Sequence, residues 1–231
     1  MGAHYPEIRS IGAIESNAAS ITHTIGGTSG ISEEGDLILI FLESANQAFT
    51  APVGGGYTQV TASPQGTGTA AQANATRLTI FYKIADGTET TYVTGDSGDH
   101  NVVCSFVIRG ADRVTPINDS VGNTAAAATA LTCPAVVTTV PECLIIIAIA
   151  SDRDANSTTN VATPVNANLT SLTERIDQTF NTGQGGGLGI YTGLKATAGS
   201  TGTTAVTQGA SEETSRITLA IAPLRRRIAI T

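Results

Sequence analysis

The sequence predicts an all-β protein: a jelly-roll-like β-sandwich of two similar Greek-key halves, with extended N- and C-terminal arms. Three observations predict this fold. Short apolar runs bounded by Gly, Pro, Asp or Ser recur along the 231 residues, and none of them has the period of an amphipathic helix. The composition is rich in Gly, with 25 residues, and in Thr, Ala, Ser and Asn, which suit strands and turns. The order of apolar segments also repeats between the two halves of the chain.

The strand pattern is strongest in six segments. These are Asp36–Glu43, Arg77–Ala85, Asn101–Arg109, Glu142–Ser151, Leu188–Ala196 and Ser215–Ala222. Weaker patterns occur at Ile8–Ile14, Ser20–Ile25, Tyr57–Thr61, Leu169–Ile176 and Ala205–Thr207. Asp86-Gly87 is a strong turn signal, so we expect Thr90–Thr94 to return as the hairpin partner of the segment before it.

The internal repeat indicates how the strands are organised. Leu37 and Leu144 begin corresponding apolar strands about 107 residues apart, a period too long for a solenoid. Two similar units of four main strands are what a jelly roll requires. The run Leu144–Ile149 is apolar on both faces and needs cover on both sides, which favours one shared sandwich over two separate domains.

The predicted boundaries follow from this repeat. They are an N-terminal arm with edge strands at 1–30, a sandwich at 31–224 with halves 31–118 and 135–224, and a basic C-terminal arm at 225–231. The Ala- and Thr-rich segment 119–134 is predicted to join the halves as a linker.

Charge and hydropathy exclude several classes of protein. The net charge is −7 and lysine occurs only at Lys83 and Lys195, so nucleic acid is not expected as a partner. No apolar run is long enough to span a bilayer, and no membrane partner is expected. The first residues lack the features of a signal peptide, which favours a protein kept in a cytosol or released by lysis. The three cysteines have no metal-ligand spacing and are predicted to be reduced and structural.

Candidate catalytic and metal motifs are weak, and we predict no catalytic, cofactor or metal-binding residue. Gly95–Gly98 matches the stretch around a protease nucleophile, but a hairpin loop explains it better because no histidine lies at a suitable distance in the sequence. Loop carboxylates at Asp96 and Asp99, next to His100, and at Asp152–Asp154 could hold Ca²⁺; solvated loops are the preferred interpretation. Gly183–Gly189 precedes a strand, whereas a phosphate loop precedes a helix.

Two features could serve binding. The chain has no Trp, which disfavours a sugar site built on aromatic platforms, although a weak lectin stays open. The possible surface aromatic residues are Tyr5, Phe49, Tyr57, Tyr92, Phe180 and Tyr191. The C-terminal arm combines three arginines with alternating isoleucines, the period of an added edge strand. The predicted partner-binding residues are Arg225, Arg226, Arg227, Ile228, Ile230 and Tyr5.

Several motifs resemble those of β-sandwich virion proteins of tailed bacteriophages. They are GDLILIF, GGGYTQV, TRLTIFYKIADGTE, VVCSFVIRGA, ECLIIIAIA and TSRITLAIAPL, and they cover most of residues 31–224. Tyr57 stands where such proteins often have Trp. The resemblance implies a non-enzymatic head decoration (cement) protein or a tail or fibre component, often trimeric. A decoration protein would bind the major capsid protein on the capsid surface of a virion assembled in the host cytoplasm.

Three hypotheses therefore differ in what they predict. A capsid decoration protein, which we favour because the chain is short and has a basic arm, should attach to particles through its termini. A tail-associated receptor-binding module should bind a host glycan. An enzyme, the least favoured hypothesis, should lose a pH-dependent activity when Asp99 or His100 is replaced.

Overall fold

The computed structural model of the chain describes residues 4–45, 47–49, 55–66, 75–96 and 98–225. These residues form fifteen β-strands and one 3-10 turn at Ile25–Gly27. The strands are β1 (Glu7–Ile11), β2 (Glu15–Asn17), β3 (Thr22–Thr24), β4 (Leu37–Ser44), β5 (Thr58–Gln59), β6 (Arg77–Ile84), β7 (Thr91–Val93), β8 (Asn101–Arg109), β9 (Ile117–Cys133), β10 (Val137–Thr138), β11 (Cys143–Ser151), β12 (Thr170–Phe180), β13 (Gly186–Lys195), β14 (Gly199–Ser200) and β15 (Thr204–Ile221). The predicted all-β class is confirmed.

Each half of the chain builds one large antiparallel sheet and contributes one two-stranded sheet, β3-β7 in the N-terminal part and β10-β14 in the C-terminal part. The first sheet has the order β1-β8-β4-β6-β5, with β2 also paired to β8, and the second has the order β12-β13-β11-β15-β9. The main strands of the two sheets, in chain order, are β4, β5, β6 and β8 in the first and β11, β12, β13 and β15 in the second. The two sheets have the same strand order, because in each the first main strand lies between the third and the fourth. The fourth main strand lies beside the first, as in a Greek key. The second and third main strands occupy each other's positions compared with that motif. The sandwich of two similar halves is confirmed, and the strands of the halves do not interleave.

The inner faces of the two sheets share one apolar core. Leu39, Phe41 and Phe106 of the first sheet pack in the same cluster as Ile146 and Ile217 of the second. The rings of Phe41 and Phe106 meet edge to face with their centroids 5.1 Å apart. Because side chains alternate along a strand, the residues between these point to the outer faces, and they are apolar as well. Each sheet therefore needs an additional outer layer.

The N-terminal segment supplies the outer layer of the first sheet. Ile25 and Tyr92 pack against Ile40 and Phe81, which point away from the sandwich core. Tyr92 lies on β7, which pairs with β3 so that His23 lies opposite Tyr92. The predicted hairpin between Thr90–Thr94 and the preceding strand was wrong, because β5 occupies the edge of β6 and the ring of Tyr92 is buried on the outer face.

The ribbon of β9 and β15 supplies most of the outer layer of the second sheet. These strands are 17 and 18 residues long and pair on both sides of two register shifts between Thr207 and Thr214, with a further shift between Ala220 and Ile221. Beyond the shifts the ribbon folds back, so that Leu131 and Val206 pack on Ile147 of the same sheet. Most of the segment 119–134, which the sequence left open as a linker, is therefore the strand β9. Alanine favours strands weakly, but pairing with a distant strand outweighs local propensity.

The remaining sequence predictions agree with the structure except in detail. The two segments predicted at Ala205–Thr207 and Ser215–Ala222 are parts of the single strand β15, and the short strands β2, β10 and β14 were not predicted. All three cysteines are free and buried, as predicted. Within the described residues no helix is long and apolar enough to span a membrane.

The fold of the ribbon depends on Gln208, which bridges the shifted register. Its side-chain nitrogen donates to the carbonyl oxygens of Ala128, at 2.6 Å, and Glu212, at 2.8 Å. We expect Gln208→Ala to lower the free energy of unfolding by about 1–3 kcal/mol, because two carbonyls lose their donor inside the fold. Urea denaturation measures this change. The exposed neighbour Thr207→Ala is the control and should change stability by less than about 0.5 kcal/mol; equal effects would contradict the role of Gln208.

Candidate functional site: the face where both termini meet

The structure places two of the six predicted partner-binding residues. Tyr5 is half-buried before β1, and Arg225 is exposed after β15. Arg226, Arg227, Ile228 and Ile230 lie outside the described residues. The prediction that the C-terminal arm adds an edge strand therefore stays a prediction.

Both ends of the described chain converge on the turn after β8. The backbone N–H of Leu224 donates to the carbonyl of Gly110 at 2.6 Å, and Pro223 bridges to Ala111. Gly110 also packs beside the backbone of Tyr5, at a positive φ of 78° that suits glycine. A groove of about 240 Å³ results. We call this surface the terminal face; its residues are His4, Tyr5, Glu7, Arg109, Gly110 and Leu224.

Ion pairs fix the terminal face to the first sheet. Arg109 holds the carboxylate of Asp36 through two nitrogens, at 3.1 and 3.2 Å, and also reaches Glu33 at 2.6 Å. Arg9 pairs with Glu33 at 2.5 Å. Burial raises the pKa of Asp36, although the backbone N–H of Glu33 and the charge of Arg9 oppose this change. The GD pair that precedes β4 therefore has a structural role, because its Asp36 orients Arg109.

Arg113 lies against Gly35, the glycine of the GD pair before β4. A Cβ atom at Gly35, whose φ is 88°, would lie 2.3 Å from the Arg113 guanidinium. Glycine is therefore favoured by the backbone conformation, whereas the guanidinium, at the end of a flexible side chain, could shift to make room. Gly35, Arg109 and Arg113 line a second groove of about 290 Å³, which shares Leu224 with the terminal face.

Exposed apolar side chains adjoin these charges. Leu224 is 45% exposed, and Val114 in the neighbouring turn is 87% exposed. Backbone hydrogen bonds from Thr115 and Val114, together with the charge of Arg225, lower the pKa of Asp112. This carboxylate therefore stays ionised beside Arg225. Apolar contacts ringed by fixed charges suit docking to another macromolecule.

A buried histidine network lies at the other end of the sandwich. His100 contacts Glu43 through Nε2 and Asp99 through Nδ1, each at 2.9 Å. Thr76 donates to the second oxygen of Glu43 at 2.9 Å, and the backbone N–H of Gln184 donates to Asp99 at 2.6 Å. Gln184 belongs to the second half of the chain, so the network joins the two sheets.

The glycine-rich stretch predicted as a loop closes this network. A Cβ atom at Gly186 would lie 2.3 Å from the Glu43 carboxylate and 2.5 Å from His100 Nε2. A Cβ at Gly183 would lie 2.3 Å from the Asp99 carboxylate. These glycines let the backbone pack directly on the ion pairs, and neither His100 nor Glu43 is exposed.

Burial and charge act in opposite directions on His100. Burial alone would lower its pKa, but the carboxylates of Glu43 and Asp99 outweigh burial and raise the pKa to about 9. Burial would also raise the pKa of Asp99, yet hydrogen bonds from His100 and Gln184 lower it. Burial also raises the pKa of Glu43, although the charge and hydrogen bond of His100 oppose this change. The network is therefore a protonated His100 that shares its two N–H groups between Glu43 and Asp99.

A second histidine network has the order of groups found in a catalytic triad. Ser105 Oγ lies 2.8 Å from His23 Nε2, and His23 Nδ1 lies 2.5 Å from Glu15. Ser105 and His23 are fully buried, and a Cβ at Gly12 would lie 2.5 Å from both Ser105 Oγ and His23 Nε2. Gly26 N–H also donates to Ser105 Oγ. No space remains for a substrate carbonyl, so the network anchors the N-terminal layer to β8.

The other predicted clusters do not come together. Asp96 is exposed and accepts a hydrogen bond from Gly98, away from the His100 network, while Ser97 lies outside the described residues. Burial, then the charges of Glu212 and Glu213, raise the pKa of Asp152 to about 7, whereas Asp154 is exposed. The described residues contain no group of three or more His, Cys, Asp or Glu that could hold a metal ion.

Three of the six aromatic side chains considered for the surface are buried, and the other three are half-buried. Phe49, Tyr92 and Tyr191 are buried, and Tyr57 packs edge to face on Tyr92 with the centroids 5.4 Å apart. The prediction that they could be surface groups was wrong for Phe49, Tyr92 and Tyr191, because the outer layers cover both sheets. Of that set, Tyr5 lines the terminal face.

Comparison with known proteins found no matching family model, no similar curated protein and no similar solved structure.

Sequence reasoning missed the carboxylate partners of the histidines. Glu43 and Glu15 lie on other strands, and Glu43 is far from His100 in the sequence. The available signal was the position of Glu43 inside an apolar strand, since a carboxylate there needs a partner. Likewise, only the fold brings Arg109 and Leu224 to Tyr5.

The pKa shifts of His100 and His23 predict opposite effects of pH on the stability of the fold. Because the folded-state pKa of His100 is about 9, its contribution is fully present below its ordinary value of 6.5 and is lost as the pH rises through 9. Burial lowers the pKa of His23, which therefore destabilises the fold as the pH falls below 6.5. Urea denaturation from pH 5 to 10 measures both.

The variant His100→Gln separates the two contributions. At pH 6 this variant should lower the free energy of unfolding by about 3–5 kcal/mol, because Glu43 loses its buried partner. At pH 10 the decrease should be much smaller. His23→Gln is the matched control and should keep the loss of stability between pH 7 and 10. A His100→Gln protein with the same loss above pH 7 as the parent would contradict the assignment.

Proposed function

We propose that this protein is a non-enzymatic structural protein of a bacteriophage virion, a capsid decoration (cement) protein that docks through its terminal face. The observation that carries the proposal is the convergence of both ends of the described chain on one groove, where Leu224 is exposed beside the ion pairs of Arg109. The motifs that resemble phage virion proteins support the viral setting.

The charge pattern supports an acidic docking partner. The whole chain carries a net charge of −7 and would be repelled by an acidic shell. The exposed Arg225 carries positive charge directly after Leu224 of the terminal face, and Arg226 and Arg227 follow it in the sequence. Such a local basic patch would orient the protein with this face toward the shell and make attachment weaken as salt increases.

The internal contacts of the sandwich also favour a structural role for the protein. Both histidine networks have their nitrogens satisfied by carboxylate or hydroxyl partners inside the fold. Their chemistry is used in joining layers, so the exposed terminal face is the part of the described chain that is best suited to a partner. The proposed partner is the major capsid protein, and the proposed location is the capsid surface.

Attachment to particles tests the proposal. Deleting residues 225–231, or replacing Arg225, Arg226 and Arg227 together with Gln, should reduce occupancy on capsids assembled without the protein by about tenfold, equivalent to about 1.4 kcal/mol. The sandwich should keep its urea midpoint. Binding is measured by co-sedimentation at low and high salt.

A charge control makes this test specific. Replacing Arg175 and Lys195 with Gln, on the strands β12 and β13, should leave occupancy unchanged. Unchanged occupancy of the deletion variant would contradict docking through the terminal face. Immunogold labelling at the tail tip, with binding to host glycan, would instead support a receptor-binding module.

A further inference from the structure

A buried arginine lies on the outer face of the second sheet, under the folded ribbon of β9 and β15. Arg216 of β15 is only 4% exposed, and it points to the outer face because its neighbour Ile217 points into the sandwich core. Its Nη1 donates to the carbonyl of Thr132 at 3.0 Å, in the part of the ribbon that folds back. Its Nε is buried and has no hydrogen-bond partner within the described residues. One buried N–H therefore lacks an acceptor.

The charge of Arg216 has no carboxylate partner in the part of the chain that the structure describes. All 19 Asp and Glu residues belong to that part, and none of its ion pairs includes Arg216. The thiol of Cys133 supplies no negative charge, because burial raises its pKa to about 12, although the charge of Arg216 opposes this change. A buried guanidinium is costly unless a negative charge accompanies it.

Three hydroxyl groups on the same face also lack a partner among the described residues. Thr214 and Thr218 flank Arg216 at alternate positions of β15, so the three side chains share the outer face. Ser151 of β11 lies directly opposite Thr214 in the ladder. The three hydroxyl residues are each at most 2% exposed, and their oxygens have no hydrogen-bond partner. We call Ser151, Thr214, Arg216 and Thr218 the arginine row.

We propose that the arginine row binds a small monovalent anion of the class of chloride. The anion accepts the Nε–H of Arg216 and the O–H of Thr214 or Thr218. These contacts give the buried donors an acceptor and the guanidinium a counter-charge. The bound anion also holds the ribbon on the second sheet, since Arg216 donates to Thr132 of the ribbon.

Charge decides between the possible occupants. Thr214 lines a groove of about 290 Å³ beside the register shift of β9 and β15, and this groove is the route from solvent to the row. Glu213 lines the same groove, and its carboxylate repels a phosphate or sulfate more strongly than a monovalent anion. Water could pair with the row and with the buried Oδ1 of Asn123, opposite Arg216, but it would leave the guanidinium without a counter-charge.

The first test is the dependence of stability on chloride. Urea denaturation of the whole protein is followed over about 3 to 300 mM chloride, with gluconate keeping the ionic strength constant. An ion that binds only the folded state lowers the unfolding equilibrium constant about tenfold for each tenfold rise in concentration above its dissociation constant. We expect this slope for the parent protein. An unfolding constant that does not depend on chloride would overturn the proposal.

Replacing the arginine shows whether its charge is responsible. Arg216→Leu should abolish the chloride dependence, because the anion loses its charge partner. Arg175→Leu, which changes an exposed arginine of the same sheet, is the matched control and should keep the slope of the parent. An Arg216→Leu protein with that same slope would rule out the site.

Replacing the hydroxyl groups gives a test that keeps the arginine. Thr214→Val/Thr218→Val preserves the shape of two side chains whose hydroxyls have no protein partner, so this variant should fold. It should need about tenfold more chloride for the same stabilisation, because the anion loses hydroxyl donors. Thr207→Val, exposed on the same strand, is the control. Equal chloride dependence of the double variant and the parent would contradict the hydroxyl contacts.

Bromide locates the ion, because it scatters X-rays anomalously. Crystals of the protein grown in bromide should show an anomalous peak within about 4 Å of Arg216 Nε. A water molecule at that position, without an anomalous peak, would overturn the proposal. Deleting residues 225–231, which tests docking through the terminal face, should leave the chloride dependence unchanged, so the two proposals can fail separately.

Discussion

The structure depends on one constraint: both main sheets are apolar on both faces. Ile38 and Ile40 point away from the sandwich core and are as buried as Leu37 and Leu39, which point into it. Four apolar faces cannot be covered by two sheets packed together, so each sheet needs a further layer. The N-terminal segment and the folded ribbon of β9 and β15 are those layers. The order of elements and the positions of the edges follow from this requirement.

Buried polar groups hold these layers in register. The network of Glu43, His100 and Asp99 joins the first sheet to the loop before β13, and His23 joins the N-terminal layer to Ser105 of β8. Since such groups are costly when unpaired, each network favours one arrangement of its layers. These histidines and carboxylates are thereby used inside the fold, which leaves the terminal face as the surface that we propose for recognition.

The sequence predicted the parts of the fold that depend on local pattern. Continuous apolar runs such as those of β4 and β11 mark buried strands, and the repeat correctly indicated two similar halves. The segment that forms β9 was missed because alanine has weak strand propensity and its pairing with β15 is a long-range contact. Tyr5 and Arg225 were predicted as binding residues, but the groove between Tyr5 and Leu224 exists only when both termini meet the turn at Gly110.

Native-state hydrogen exchange tests the shared core most directly. If the inner faces of both sheets depend on each other, the slowest amides of β4 and β8 should open with the same free energy as those of β11 and β15. Both sets should lose protection together when Phe106, in the first sheet, is replaced by Leu. Slow amides that keep full protection in the second sheet while those of the first sheet exchange would show that each half folds alone and would contradict this account.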